Sequence, residues 1–301
     1  MQPGLTGISE TMLWTLHNRA SEAARPDGCL RDPMCLHIYR ALHYDYERHF
    51  GHADGSHGVR SQLFDEHLRI FLAAHPRAAI VNLGEGLETQ RYRIDAPEAL
   101  WISVDVPEAL AIRERFIQPD ARHLHVRASA LDTAAWFGAV PPERPCFITA
   151  QGLFMYFSEE EMARFARALA QRFPGAILMF DYISRSLSRR TLSEHGWMKT
   201  PYYRTPPMPW GVNRDELEPL FSRWLGQPVR VHNVTFVFPR GPLHWLIPMS
   251  EHYLPWLANH FPGVCWLQLP LSGCCGDRMK ARRNIMPMPR ASCACLLSSG
   301  R

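Results

Sequence analysis

The sequence predicts an α/β fold with a doubly wound parallel sheet, and three observations carry that prediction. Five apolar runs of strand length fall between residues 79 and 180, separated by stretches of helical character. The first run ends in a glycine turn, Gly84-Glu85-Gly86, which lets a backbone approach a ligand closely. The second run closes on Asp105, 19 positions after Gly86, where such a fold bonds a ribose hydroxyl pair.

Taken in order, residues 7–24 (GISETMLWTLHNRASEAA) read as a helix, with Ser9 as N-cap and Met12, Leu13 and Leu16 on one face. Pro26, Gly28 and Pro33 break the chain. A second helical stretch covers residues 35–50, with Ile38, Leu42 and Tyr46 at helical spacing. After a Gly/His loop, an amphipathic helix over residues 59–74 leads into the first strand. Strands are expected at 79–83, 100–104, 123–128, 146–150 and 176–180, with helices at 107–116 and 159–173. Asp181 ends the fifth strand, either near a ligand or as a helix cap. Residues 184–213 are rich in proline, aromatics and glycine and too irregular for an ordinary connection. They read as an insertion over the strand ends, a lid or substrate wall that runs over 184–225 with its returning helix. Residues 229–237 and 243–247 are expected as an antiparallel edge pair, and 250–271 as a helix and a final apolar segment. A single domain over 1–272 is therefore expected, with a helical cap over 1–77.

The composition, 46% hydrophobic and 21% charged, is that of a soluble globular chain. No apolar run approaches the roughly 18–20 residues of a membrane helix. The first residues lack a basic segment followed by an apolar core, so no secretory signal is read and a cytoplasmic location is expected, without membrane attachment. The formal charge of +4 is unevenly spread. Residues 273–301 hold six basic residues and one acid, a net +5, which leaves −1 for the first 272 residues. The body gives no support to nucleic-acid binding. The terminal stretch has no period and four of the eight cysteines, and is expected to be a disordered basic tail. No C-x-x-C pair exists, so no metal site is expected and the scattered cysteines read as reduced and structural.

VNLGEGLETQRYRI (81–94), the upstream Arg60 and Asp65, Asp105 with Pro107, ITAQGLFMYF (148–157) and FDYIS (180–184) together resemble the leucine carboxyl methyltransferase family, in particular its bacterial polyketide O-methyltransferase branch. The resemblance covers residues 6–271. It implies a class I methyltransferase fold, Rossmann-like, that uses S-adenosylmethionine. Arg60 matches the arginine expected on the cofactor's carboxylate, Gly84, Glu85 and Gly86 the turn, and Asp105, followed by Val106, the ribose-binding acid. Gln151 stands where many members carry a glutamate. Tyr156 matches the tyrosine of the motif after strand four. Leu131 and Asp132 fall near the family's adenine contact.

The turn carries a discrimination of its own. A dinucleotide fingerprint wants a third glycine at position 89, which is Thr89 here, and Glu85 and Glu88 would repel a pyrophosphate. A cationic sulfonium without phosphate suits them better. The expected activity is O-methylation of a carboxylate or hydroxyl on a small aromatic or polyketide-like molecule. A carboxylate acceptor, with a pKa near roughly 4, needs no base at pH 7. A phenol, near roughly 10, does, and His195 in the insertion is the candidate. Trp197, Tyr202, Tyr203 and Trp210 either pack together or line an aromatic pocket. Two other readings stand beside this one: a catalytically silent binding protein on the same fold, and a nicotinamide-dependent oxidoreductase.

Overall fold

The central strands are runs of apolar residues buried along their whole length, and strands buried on both faces demand a helical layer on each side. In the computed structural model, residues 4–271 are described. Four helices come first: α1 (Thr11–Ala24), α2 (Pro33–Ala41), α3 (Tyr46–Phe50) and α4 (Ser56–Ala74). The alternating part follows as β1 (Ala79–Leu83), α5 (Gln90–Arg93), β2 (Leu100–Asp105), α6 (Pro107–Arg113), β3 (His123–Arg127), α7 (Thr133–Trp136), β4 (Cys146–Ala150), α8 (Glu159–Arg172) and β5 (Ile177–Tyr182). Then come α9 (Arg185–Leu192), the hairpin β6 (Met198–Thr200) and β7 (Tyr203–Arg204), α10 (Leu217–Leu225), β8 (Val231–Val234), α11 (Leu243–Tyr253), α12 (Pro255–Ala258) and β9 (Gly263–Gln268).

Seven strands form one sheet in the order β3-β2-β1-β4-β5-β9-β8. β1 pairs in parallel with β2 and β4, with Ala79 opposite both Leu100 and Cys146. β9 runs antiparallel between β5 and β8. The winding moves outward from β1 through β2 to β3, then restarts at β4 on the other side. At that switch, a crevice opens outside the carboxyl ends of the strands.

Alternation along β1 divides the core. Val81 and Leu83 pack with Met162, Phe165 and Leu169 of α8 and Phe221 and Trp224 of α10. Ile80 packs on the other face with Phe64, Leu68 and Phe71 of α4. A third cluster joins Leu13 and Leu16 of α1 and Ile38 of α2 to Ala109 and Ile112 of α6, so the N-terminal helices close one side of the crevice. A capping box starts α8: the Glu161 amide donates to Ser158 Oγ at 3.2 Å, and the Ser158 amide to Glu161 Oε2 at 2.8 Å.

Several elements differ from expectation. α1 begins at Thr11, and Ser9 does not cap it; its hydroxyl bonds Glu108 instead. The helix expected over 35–50 is two, because Asp45 starts a new helix by accepting from the Arg48 amide. The run expected as a strand over 243–247 is the start of helix α11, and the edge partner of β8 is β9. A run of five residues does not fix a period, and the two outcomes are distinguished by which run is covered. Cys265 and Leu267 are fully buried, whereas Leu243, Trp245 and Leu246 are about half exposed. Within 184–225, Trp210, Val212 and α10 belong to the sheet's core and not to a surface lid. Among the described residues no helix is long and apolar enough to cross a membrane. The expectation for the tail, 273–301, lies outside the described residues.

Candidate active site

The crevice is lined first by the turn after β1. Gly84 and Gly86 take φ of +58° and +52°, in the left-handed region that favours glycine. A Cβ on Gly84 would come within 2.8 Å of Leu153, and one on Gly86 within 2.9 Å of Met12. The turn is therefore wedged between the segment after β4 and helix α1. Asp105, at the end of β2, braces it: Oδ2 accepts from the Gly86 amide at 2.7 Å and Oδ1 from the Val106 amide at 2.8 Å. Burial pushes this carboxyl up to about 6, against the pull of those two amides.

Beyond the turn lies a cleft of about 320 Å³. Gly84, Glu85, Gly86, Asp105, Val106, Gln151, Arg60 and Tyr156 all line it, so most of the expected site converges there. Arg60 comes from α4, 121 residues before its partner Asp181 on β5, which accepts from Nη1 at 2.8 Å. Asp181 thus neither caps a helix nor lines the cleft itself. Arg60 Nε and Gln151 Oε1 are buried and have no hydrogen-bond partner within the protein. One is an unmet donor and the other an unmet acceptor, which is what the carboxylate and ammonium of an amino-acid group require. Burial pushes the Tyr156 phenol up to about 12, so at neutral pH it is a donor.

Leu131, Asp132 and His195 are not brought to the cleft. After β3 the lining residues are Ala128, Ser129 and Ala130; the strand ends at Arg127, so the turn arrives earlier than expected and Asp132 stands exposed at the start of α7. His195 is exposed beyond α9. The insertion aromatics do not line the cleft; three pack on the cap and Trp210 on the sheet's core. Trp197 meets Trp14 edge-on, Tyr203 meets Phe50, Tyr202 lies beneath Arg48, and Trp210 is buried against Phe180 and Trp224.

Two sets of wall residues come from places the motifs do not mark. Ile8, Thr11, Met12 and Thr15 line the cleft from α1 and the turn before it. Their i, i+3, i+4, i+7 spacing is the available signal, a stripe mixing hydroxyls and apolar groups beside the core stripe of Leu13 and Leu16. The other set lies behind the turn. Arg113 lies 3.0 Å from Glu85 and donates to the carbonyls of Gly86 and Glu88. Arg19 and Arg93 donate to Glu88 at 2.9 and 2.7 Å, and Arg93 also binds Asp32 and Asp65. Burial alone would raise the Glu88 pKa; the two arginines override it and hold the carboxyl well below its usual range. Glu85 and Glu88 therefore do not present bare negative charge to a ligand, and the repulsion expected between this turn and a pyrophosphate is largely cancelled by partners distant in sequence.

A mostly parallel sheet with a glycine turn at the switch point and an acid at the end of β2 is the fold of a class I S-adenosylmethionine-dependent methyltransferase. The profile of the leucine carboxyl methyltransferase family matches residues 12–170, more than half of the chain, and the chain belongs to that family. It is 32% identical over 182 residues to the tetracenomycin polyketide synthesis O-methyltransferase TcmP of Streptomyces glaucescens, covering 60% of this chain and 67% of that one. It is 25% identical over 186 residues to the S-adenosyl-L-methionine-dependent methyltransferase dpfgK of Gibberella zeae, covering 56% and 62%. Among solved structures, the plantazolicin methyltransferase BpumL in complex with SAH aligns with a TM-score of 0.47 at 14% identity, over 87% of this chain and 99% of that one. Membership of that family, with S-adenosyl-L-methionine-dependent relatives, makes S-adenosylmethionine the cofactor of this enzyme.

Proposed function

We propose that the enzyme methylates a carboxylate on a small, largely apolar molecule of polyketide type. When bound, S-adenosylmethionine supplies an electrophilic methyl group on a cationic sulfur. Arg60 holds the cofactor's carboxylate, Gln151 its ammonium, and Asp105 accepts from the ribose hydroxyls. Leu153, Phe157, Met12 and Ile8 give the remaining wall an apolar character that excludes water, interrupted by the hydroxyls of Thr11, Thr15 and Tyr156. Tyr156, a protonated phenol, donates to the acceptor and holds its oxygen in line for displacement. The hairpin β6–β7 is tied to the cap: Thr200 Oγ1 donates to the carbonyls of Arg48 and His49 in α3.

One observation carries the carboxylate over a hydroxyl. No histidine, lysine or cysteine among the described residues lines the cleft, His195 stands outside it, and the lining carboxylates Glu85, Glu88, Asp105 and Glu108 are engaged by arginines, backbone amides or the Ser9 hydroxyl. An acceptor that needs no deprotonation fits such a site, and a carboxylate is already ionised at neutral pH. The similarity to TcmP, a tetracenomycin polyketide synthesis O-methyltransferase, supports an oxygen acceptor. A soluble enzyme working in the cytoplasm is the matching setting.

The test is to incubate the enzyme with labelled S-adenosylmethionine and paired aromatic acids and phenols, then treat the products with mild base. Methyl esters release their label as methanol, and methyl ethers keep it. Label that is base-labile and confined to the acids is the expected result. Base-stable product from the phenols would reject the carboxylate reading.

A further inference from the structure

Asp181 is a buried carboxylate that meets the cleft only through other residues. Its Oδ2 accepts from Arg60 Nη1 at 2.8 Å, and its Oδ1 accepts from the Gly152 amide at 2.6 Å. Gly152 has φ +69°, and a Cβ there would stand 3.1 Å from Arg60 Nη1. Three segments distant in sequence, α4, the turn after β4 and β5, thus interlock around one carboxyl group. Two of the unmet polar atoms of the site, Arg60 Nε and Gln151 Oε1, belong to the residues so fixed or to their immediate neighbour.

We propose that Asp181 is a positioning residue, which presets Arg60 and the Gln151-Gly152 turn as a clasp for the amino-acid end of the cofactor. The proposal rests on the assignment of Arg60 to that end. A free arginine side chain samples many rotamers, and a ligand that had to order it would lose affinity. Asp181 removes the loss by fixing the guanidinium before binding and leaving Nε for the ligand. It also sets the charge. Arg60 and Asp181 cancel, so the clasp is neutral and matches a zwitterion. The neutral Gln151 belongs to this balance, since a glutamate there would add an uncompensated negative charge beside Asp181.

The experiment is calorimetric titration of the full chain with S-adenosylhomocysteine and with 5′-methylthioadenosine, which shares the nucleoside and thioether but lacks the amino-acid end. Asp181→Asn is expected to weaken S-adenosylhomocysteine by about tenfold, roughly 1.4 kcal/mol, and to leave methylthioadenosine unchanged. Gly152→Ala, which presses on the clasp from its other side, is expected to do the same. It decides the matter if Asp181→Asn fails to fold, as loss of methylthioadenosine binding would reveal. In an Arg60→Ala background, Asp181→Asn should have a much smaller effect on the ratio of the two affinities, because only the Gln151-Gly152 arm is left for it to act through. Equal weakening of both ligands by folded Asp181→Asn would overturn the proposal, as would an undiminished effect without Arg60. Arg60→Ala with the wild-type ratio would instead reject the assignment of Arg60, and the positioning role with it.

Discussion

Asp105 joins two tasks at one carboxyl group: it holds the glycine turn through the Gly86 amide and lines the cleft, where we propose that it accepts from the cofactor's ribose. Its titration follows from that position. The folded pKa, raised to about 6 by burial, lies above the unfolded value of roughly 3.9. Between those values the folded chain binds the extra proton, so Asp105 contributes less to stability as pH rises through the window. Ligand binding runs the other way, because an ionised carboxylate is the stronger acceptor for hydroxyl donors. Affinity for S-adenosylhomocysteine is expected to rise between pH 5 and 7 and then level off, and Asp105→Asn should flatten the profile. A flat wild-type profile, or a rise that survives in the variant, would contradict this role. The turn and Asp105 are legible in the sequence because their signal is local: a pair of glycines, an apolar run and a spacing. Leu131 and Asp132 were placed too far along because the strand end that sets them carries no marker beyond Arg127.

At the scale of elements, the cap and the turn are joined by ions and not only by apolar packing. Arg93 of α5 binds Asp32 before α2, Asp65 of α4 and Glu88 of the turn, all buried. Replacing one partner of such a network leaves uncompensated buried charge and costs about 3–5 kcal/mol. Arg93→Met is expected to lower the urea midpoint by that equivalent without changing the slope. A loss under about 1 kcal/mol, the range of an exposed pair, would show that the network is not held as described. Glu88 adds a pH dependence. Its folded pKa is depressed, so its contribution is present above the unfolded value of roughly 4.3 and fades as pH falls below it. None of this was legible in sequence. Arg19 and Glu88 stand 69 positions apart, and a lone arginine in a helix carries no mark of the carboxylate it will meet. The same limit explains α11 and β9, two apolar segments whose state is set by whether neighbouring strands cover them.

For the whole molecule, the alternation of runs and helices from 79 to 180 was enough to give the parallel half of the sheet, because each βαβ unit is written in consecutive residues. The antiparallel end required β9 to insert between β5 and β8, a pairing between segments about 85 residues apart that periodicity does not encode. That the cleft lies at the β1/β4 switch, walled by the cap on one side and by the segment after β4 on the other, is a property of the assembled sheet. The most direct test of the account is calorimetric titration of the full chain and of Asp105→Ala with S-adenosylhomocysteine, with NADH alongside. The account predicts binding of S-adenosylhomocysteine at one site per chain, no binding of NADH, and a loss of about tenfold or more in the variant. Unchanged affinity in Asp105→Ala, or NADH competing for the same site, would contradict it.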